Sequence, residues 1–223
     1  MVNELRRGLV VSCQAEEGSP FNAPEFIAAF AKAAELGGAV GVRVRDPENV
    51  AAVRSATNLP VIGLTKSHYS DGTVLITPDI DAVMKLVDAG ADIIAFDATA
   101  RKRPNGMSGV EFLKAVKSLA ANPIIADISN FQEGVDASDA GADYVATTLS
   151  GYIGRSISET LQPDYDLIRR IASGTKTPII AEGRIWSPDQ AKTALELGAF
   201  AVCVGSAITR PVDIIKRFAA VLR

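Results

Sequence analysis

The chain has 223 residues, of which 48% are hydrophobic and 22% are charged, an ordinary composition for one well-filled globular domain. Its formal net charge of -3 comes without a basic cluster, which argues against a nucleic-acid-binding protein and against a role at a membrane surface. Small solutes are therefore the expected partners.

The ends and the cysteines indicate a compartment. The N-terminal segment MVNELRRG has no apolar signal-peptide core, and no apolar stretch reaches the roughly 18 residues that a membrane span needs, so we expect a cytoplasmic protein. Cys13 and Cys203 fit a reducing compartment. They lie in the first and last predicted strands, which become neighbours if a barrel closes. Buried, reduced cysteines acting as small apolar residues are favoured over a redox pair.

Apolar segments typical of buried parallel strands recur eight times along the chain. In chain order they are GLVVSCQ (8–14), AVGVRV (39–44), PVIGLT (60–65), IIAFDAT (93–99), PIIADIS (123–129), YVATTLS (144–150), PIIAEG (178–183) and AVCVGS (201–206). Amphipathic segments such as PEFIAAFAKAAELGG separate them, and several end in a glycine that can terminate a helix. The pattern predicts an α/β protein, a single (β/α)8 TIM barrel over residues 1–223. An open doubly wound sheet is the alternative, but no Gly-x-Gly-x-x-Gly turn follows the first strand.

Two connections are longer than most strand-to-helix loops. One runs from Lys66 through SHYSDGTVLITPDI, and the other covers residues 151–163 after the sixth strand. Loops of this length on the catalytic face of a barrel are usually lids or binding loops, so together they are predicted to cover a bound substrate.

Two strands end on reactive side chains, Lys66 after the third and Glu182 at the end of the seventh. Residues at the C-terminal ends of barrel strands form the active site, and strands three and seven of eight lie opposite each other. Opposed proton carriers suit inversion at a carbon next to a carbonyl, where one face loses a proton and the other gains one. Each group then needs its pKa moved toward neutrality, and Arg43 is the predicted cationic neighbour of Lys66. Either residue alone would more often be merely solvated; their shared position favours function.

Further polar residues are predicted to point into the same mouth. They are Gln14 after the first strand, Asp97 in IIAFDAT and Asp127 at the end of the fifth strand. Asp97 is the weakest of the three, because carboxylates in such places often only anchor a neighbouring loop.

A phosphate site is predicted between the last two strands. Gly183, Arg184, Gly205 and Ser206 follow strands seven and eight, where barrels of this type commonly bind phosphate, and SAITR is predicted to form a short helix after Gly205. Arg210 can add a charge-assisted bond, although a solvated arginine before Pro211 is the alternative. A phosphorylated substrate follows.

Several of these motifs together carry a family resemblance. LVVSCQA, GLTK, DIIAFDAT with RKRP, ADIS, TTLSGY, IIAEGR and VGSAITRP resemble the N-acetylmannosamine-6-phosphate 2-epimerase family over nearly the whole chain. The resemblance implies interconversion of N-acetylmannosamine 6-phosphate and N-acetylglucosamine 6-phosphate in sialic-acid breakdown, on a (β/α)8 barrel, with no organic cofactor and no metal. The assembly left open is a homodimer.

The resemblance also implies roles for residues. Lys66 and Glu182 carry the proton transfers. The residues that it implies for substrate contacts are Gln14, Arg43, Asp127, Thr148, Tyr152, Arg184 and Arg210.

Two local departures and two competing functions remain. His68 stands where an acidic residue is expected, and Trp186 stands where a small polar residue is more usual; we expect a lid contact and packing against the rim, respectively. A lysine at a strand end can instead form a Schiff base, which would make the protein an aldolase acting on a sugar phosphate. A barrel that only binds phosphosugars is the non-catalytic alternative, although binding alone does not require opposed proton carriers.

Overall fold

A computed structural model describes residues 4–66, 74–153 and 160–222. Eight strands close into a barrel in sequence order, every neighbouring pair is parallel, and β8 pairs with β1. The strands are β1 (Gly8–Cys13), β2 (Gly41–Arg45), β3 (Val61–Leu64), β4 (Ile93–Asp97), β5 (Ile124–Asp127), β6 (Tyr144–Ala146), β7 (Ile179–Glu182) and β8 (Ala201–Val204). The predicted (β/α)8 barrel is confirmed.

A helix follows each strand along the described chain. The helices are α1 (Pro24–Leu36), α2 (Pro47–Ala56), α3 (Ile80–Asp88), α4 (Gly109–Leu119), α5 (Phe131–Asp139), α6 (Tyr165–Gly174), α7 (Pro188–Glu196), the short α8 (Ser206–Thr209) and α9 (Pro211–Ala220). Side chains define several starts. Ser108 and Ser187 each form a capping box, with Glu111 and Gln190, that satisfies free N–H groups in the first turn.

The strands alternate between two apolar layers, as side chains on successive strand residues must. Val10, Ile62 and Ile125 fill the barrel interior, whereas their neighbours Val11 and Val61 pack against the surrounding helices. Most strands end one to four residues earlier than predicted, because the last residues of the predicted segments leave the ladder at the mouth. Of those residues, Gln14, Thr148, Gly183, Gly205 and Ser206 line the site described below.

The two cysteines lie on adjacent strands, as predicted, but on opposite faces of the barrel wall. Cys13 belongs to the layer between barrel and helices, and Cys203 belongs to the interior layer. Both thiols are free and buried, and burial raises the pKa of Cys13 to about 12. Cys13 packs as a small apolar residue, and the placement of the two side chains on opposite faces of the wall argues against a redox pair.

The end of the chain departs from the regular pattern. None of the residues of α9 is buried, and Ile215 and Phe218 are 65% and 69% exposed. Beside it lies an apolar groove of about 530 Å³ between α7 and the outer wall of β1 and β8, with Leu9, Leu195 and Val202 in its lining. In a (β/α)8 barrel the eighth helix packs at this place.

No helix among the described residues has the length and apolar character needed to cross a membrane.

Candidate active site

A cavity of about 290 Å³ lies at the C-terminal ends of the strands. It brings together all but two, Asp97 and Asp127, of the residues predicted for the site, which come from the ends of strands that are far apart along the chain. Those that line the cavity are Gln14, Arg43, Lys66, Thr148, Tyr152, Glu182, Gly183, Arg184, Gly205, Ser206 and Arg210. Asp127 lies directly behind them.

Arg43 organises the floor of the cavity. It projects inward from β2 and is 1% exposed, and its two terminal nitrogens donate to the two carboxylate oxygens of Asp127 at 2.9 and 2.6 Å. The Nη1 atom also donates to Glu182 Oε2 at 2.9 Å. Burial raises the pKa of Asp127 to about 6, while the Arg43 cation acts in the opposite direction. One guanidinium therefore holds two carboxylates from β5 and β7.

Two threonines after β6 complete this network. The Thr148 hydroxyl lies 2.6 Å from Asp127 Oδ1 and 3.2 Å from Glu182 Oε2. The Thr147 hydroxyl donates to the carbonyl of Glu182 and accepts from its backbone N–H, both at 3.0 Å. The Glu182 backbone and carboxylate are thus fixed from the neighbouring strand end, which restricts where the carboxylate can meet a substrate.

Lys66 lies opposite Glu182, at the end of β3. Its side chain is partly open to solvent, but the surrounding protein crowds the amine; this desolvation and then the cations of Arg210 and Arg45 lower its pKa to about 8. Arg43 also lowers this pKa, as predicted for a cationic neighbour of Lys66, but its effect is smaller than that of Arg210 and Arg45. Arg43 is instead committed to the carboxylates. An amine with a pKa near neutrality can both accept and return a proton at physiological pH.

The phosphate end of the site lies between β7 and β8. Ser206 begins α8 directly after Gly205, which confirms the predicted short helix over residues 206–209. Arg210 follows and lies loosely between Glu16 at 3.7 Å and Asp213 at 3.9 Å, and its buried Nε atom has no hydrogen-bond partner in the described part of the chain. This guanidinium is therefore available to an anion in the cavity.

Arg184 joins the loops that follow β6 and β7. Its backbone is left-handed at φ 58°, and its guanidinium donates to the carbonyls of Ser150 and Gln162, both at 2.7 Å. The guanidinium also lies 5.4 Å from the ring centre of Tyr152. It passes so close to Gly151 that a Cβ there would lie 2.0 Å from Nη1. The side chain thus fixes the cavity wall, and its contact with a substrate remains a prediction.

Gln14 presents an amide to the cavity. Its Nε2 atom donates to Ser12 Oγ at 2.9 Å, and its buried Oε1 atom lacks a hydrogen-bond partner within the described residues. A buried acceptor facing a polar cavity favours a ligand that brings an N–H or O–H group.

Asp97 does not point into the mouth, and that prediction is wrong. Its side chain is fully buried, accepts from the backbone N–H groups of Leu75 and Thr99 at 2.9 and 3.1 Å, and pairs with Arg101. It anchors the loop after β3, which is the alternative that the sequence left open.

Sequence reasoning missed part of the cavity lining. The further residues that line it are Ser12, Leu64, Ile76, Ile185, Trp186 and Cys203. A polar Ser12 inside an otherwise apolar strand was a usable signal, whereas Leu64 and Ile76 look like ordinary core residues. Trp186 lines both this cavity and the apolar groove, and the Arg217 guanidinium lies 4.0 Å from its ring centre.

The two long loops are only partly described. The predicted lid contact of His68 lies outside the described residues, as does the middle of the loop after β6. The described part of the first loop returns to the barrel, where Ile76 forms an antiparallel bridge with Lys66.

Comparisons with known proteins agree on one family. A family model described as "Putative N-acetylmannosamine-6-phosphate epimerase" matches residues 27–223. Among relatives named "Putative N-acetylmannosamine-6-phosphate 2-epimerase", that of Caldanaerobacter subterraneus subsp. tengcongensis is 47% identical over 224 residues, covering 100% of this chain and 94% of the relative. That of Pasteurella multocida is 40% identical and covers 98% and 93%.

Solved structures give the same result. The N-acetylmannosamine-6-phosphate 2-epimerase from Clostridium perfringens superimposes with a TM-score of 0.90 at 38% identity, covering 96% of this chain and 92% of that one. A thiamine phosphate pyrophosphorylase from Pyrococcus furiosus, at 19% identity and a TM-score of 0.62 over 94% and 90% of the two chains, shares the fold alone.

Proposed function

The chain belongs to the N-acetylmannosamine-6-phosphate epimerase family, and from this we propose that it interconverts N-acetylmannosamine 6-phosphate and N-acetylglucosamine 6-phosphate. The observation that carries the mechanism is the convergence of Lys66 and Glu182, from opposite sides of the barrel, on one cavity beside Arg43. We also propose that the reaction serves sialic-acid breakdown in the cytoplasm.

The chemistry requires the removal and return of one proton. Carbon 2 of the open-chain sugar lies next to the carbonyl at carbon 1, so loss of its proton leaves an enolate, and reprotonation on the other face gives the epimer. The proton that leaves is replaced by one from the protein, so the reaction balances without an added cofactor. Arg43 lines the cavity and carries a cation that can stabilise the developing enolate.

Lys66 and Glu182 are the proposed proton carriers. In one direction the Glu182 carboxylate removes the proton and the Lys66 ammonium delivers one to the opposite face; the reverse direction exchanges these roles. The lowered pKa of Lys66, about 8, supports it in both roles. The hydrogen bonds of Arg43 and Thr148 to Glu182 Oε2 define the alternative to be tested, in which Glu182 stays a carboxylate and Lys66 serves both faces.

Phosphate recognition is assigned to the other end of the cavity. Backbone N–H groups at Gly183, Gly205 and Ser206 are proposed to bind the phosphate oxygens, with Arg210 supplying a charge-assisted bond. Its loose pairing with Glu16 supports this assignment, because a committed structural arginine would make shorter bonds. The remaining contacts, through Gln14, Thr148, Tyr152 and Arg184, are proposed for the sugar and its acetamido group. The buried Asp127 is proposed to act on the substrate through Arg43.

The two competing functions are not favoured. The relatives described above are named epimerases, and neither an aldolase nor a non-catalytic barrel is among them. The deciding experiment is proton NMR of N-acetylmannosamine 6-phosphate incubated with the purified protein in deuterated water. We expect N-acetylglucosamine 6-phosphate carrying deuterium at carbon 2. The two-base arrangement delivers a solvent-derived proton, so product that keeps the original hydrogen would exclude that arrangement, and fragments of shorter carbon chain would indicate the aldolase.

We further infer a homodimer in which α9 of each copy covers the apolar groove of the other. The groove lies where the eighth helix of a barrel packs, and the helix that follows β8 in this chain leaves it open. The exposed Ile215 and Phe218 offer the matching apolar face. Burying both surfaces in one contact removes a patch that a monomer would rarely leave exposed.

A further inference from the structure

The loop that follows β3 returns to the barrel and is bound there by β4. Ile76 forms an antiparallel bridge with Lys66, and the Ile76 carbonyl accepts from the backbone N–H of Asp97 at 3.0 Å. The Leu75 N–H donates to Asp97 Oδ2 at 2.9 Å. Lys66 therefore lies next to a segment whose position is set by a buried aspartate of the neighbouring strand.

Thr77 binds the residue before Lys66 from both sides. The Thr77 N–H donates to the Thr65 carbonyl at 3.0 Å, and the Thr65 N–H donates to the Thr77 hydroxyl at 3.1 Å. The same hydroxyl donates to the Ala95 carbonyl of β4 at 2.7 Å. Direct β3–β4 pairing ends at Gly63 and Ile94. The hydroxyl thus continues the connection between the two strands, as a bridge, up to the residue that precedes Lys66.

The backbone of Thr77 is held in a conformation that a β-branched residue rarely adopts. Its φ is 43°, and the residue is completely buried. The buried Arg103 donates to the carbonyls of Thr77 and Pro78, both at 3.3 Å, and stacks 3.8 Å from the ring centre of Phe112. Unfavourable backbone conformations persist where the surroundings over-determine them, and they cluster at active sites.

We propose that Thr77 is a positioning residue for Lys66, and that its hydroxyl fixes the end of β3 so that the amine meets carbon 2 of the substrate. This proposal rests on the proposed function, in which Lys66 carries the proton. Arg103 and Asp97 act behind Thr77, since they hold the segment that carries it. The assignment also gives a role to the IIAFDAT and RKRP motifs, whose residues do not line the cavity.

The test compares Thr77→Val, which removes the hydroxyl and keeps the branched shape, with Thr77→Ser, which keeps the hydroxyl. We expect kcat to fall about 10- to 100-fold in Thr77→Val with little change in KM, because a small misplacement of a reacting group costs rate at that scale. Thr77→Ser should restore most of the parent's kcat. The matched control is Thr57→Val, which removes another buried hydroxyl that accepts a backbone N–H, from Leu59, at the opposite end of β3.

A second readout does not depend on turnover. The rate at which acetic anhydride acetylates Lys66, followed by mass spectrometry from pH 6 to 10, reports the pKa of its amine. The charged groups that act on this amine, Arg210, Arg45, Arg43, Glu182 and Asp46, are unchanged in Thr77→Val, so an upward shift reports a displaced amine. An inactive parent would overturn the proposed function but leave this titration to judge Thr77.

A Thr77→Val protein that keeps both the kcat and the Lys66 titration of the parent would overturn the inference. If Thr77→Val does not fold, hydrogen exchange in the parent decides: the Thr65 amide should exchange as slowly as the amides within β3, and exchange at the rate of an exposed loop would remove the proposed bridge.

Discussion

Arg43 and Asp127 form a two-bond ion pair across the interior of the barrel, from β2 to β5, with both side chains shielded from water. The planar guanidinium matches the carboxylate with two parallel bonds, which fixes the orientation of Arg43. The Nη1 atom of Arg43 also forms an ion pair with the Glu182 carboxylate. The position of the proposed proton carrier on β7 is therefore set by a pair of residues that belong to two other strands.

Removing Arg43 should destabilise the fold strongly. We expect Arg43→Met to lower the free energy of unfolding by about 3–5 kcal/mol, because it leaves the buried carboxylate of Asp127 without its partner. The control is Arg54→Met, whose more exposed pair with Asp92 should contribute about 1 kcal/mol or less. Urea denaturation measures both, and equal losses in the two variants would contradict the special role of the buried pair.

The same variant has a pH signature. The pKa of Asp127 in the folded protein, about 6, lies above its ordinary value of about 3.9, so the folded state binds this proton more tightly than the unfolded state does. This preference contributes fully to the free energy of unfolding below about pH 4, and the contribution is lost as pH rises through about 6. Without Arg43 this pKa should rise further. The stability difference between parent and Arg43→Met should then widen between pH 6 and pH 8. A constant difference over that range would mean that Asp127 is not the group left unpaired.

Both proposed proton carriers should be needed for turnover. Lys66→Met removes the amine at similar length, and Glu182→Gln keeps the shape without the proton-transfer function, so each should fold and lose about 10²- to 10⁴-fold in rate. Because the groups act as a unit, the double variant should be little worse than the worse single variant. NMR of the sugar phosphates measures the rates. Substantial turnover in Glu182→Gln beside an inactive Lys66→Met would favour Lys66 serving both faces.

The pH profile separates the same two arrangements. If Lys66 and Glu182 share one proton, the active form of the enzyme loses that proton as pH rises through about 8. The kcat/KM values of the forward and reverse reactions should then both fall, since the equilibrium constant of the reaction fixes the ratio of the two values. If Lys66 alone carries the proton, its free amine is required and kcat/KM should rise through the same pH. We expect the fall.

Arg210 should contribute to binding more than to folding. A charge-assisted bond to phosphate is worth about 1.5–3 kcal/mol, so Arg210→Ala should weaken binding of the phosphorylated sugar roughly tenfold or more. The variant should also raise the pKa of Lys66, because Arg210 is the cation with the largest effect on it. Calorimetric titration measures the binding, with Arg169→Ala on α6, an exposed arginine outside the cavity, as the control. Unchanged affinity would mean that Arg210 is misassigned.

The proposed dimer depends on the apolar face of α9. Phe218→Glu places a charge on that face and should yield monomers in sedimentation equilibrium, whereas the parent should sediment as a dimer. Leu36→Glu, at the end of α1, changes another exposed apolar residue and should leave the dimer intact. A monomeric parent would remove the proposal.

The sequence predicts the barrel well because its alternation of apolar strands and amphipathic helices is local. It also predicts that Lys66 and Glu182 share a mouth, since closure of parallel strands puts all their C-terminal ends together. It ranks Asp97 below Asp127 but still directs both into the mouth, although the two are direct partners in the β4–β5 register. One is covered by the returning loop after β3 and the other meets Arg43, and both outcomes depend on residues distant in sequence.

The C-terminal helix shows a second limit. An amphipathic pattern indicates that α9 has an apolar face, but the pattern is the same whether that face covers its own barrel or another molecule. Likewise, nothing local distinguishes Arg210, which is loosely paired, from Arg184, whose guanidinium is bound by two loop carbonyls. Distances between elements decide these cases.

The pairing of β1 with β8 has a consequence for biosynthesis. Val10 and Cys203 are direct register partners although almost the entire barrel lies between them in the chain. A ribosome releases the first strand long before its partner is made, so β1 must wait with one edge unpaired. Gln14, which follows β1, is synthesised early and Arg210, which follows β8, is synthesised late, yet both line the same cavity. The nascent protein should therefore gain activity only after β8 has emerged, and chaperones have their longest opportunity to bind at the first strand.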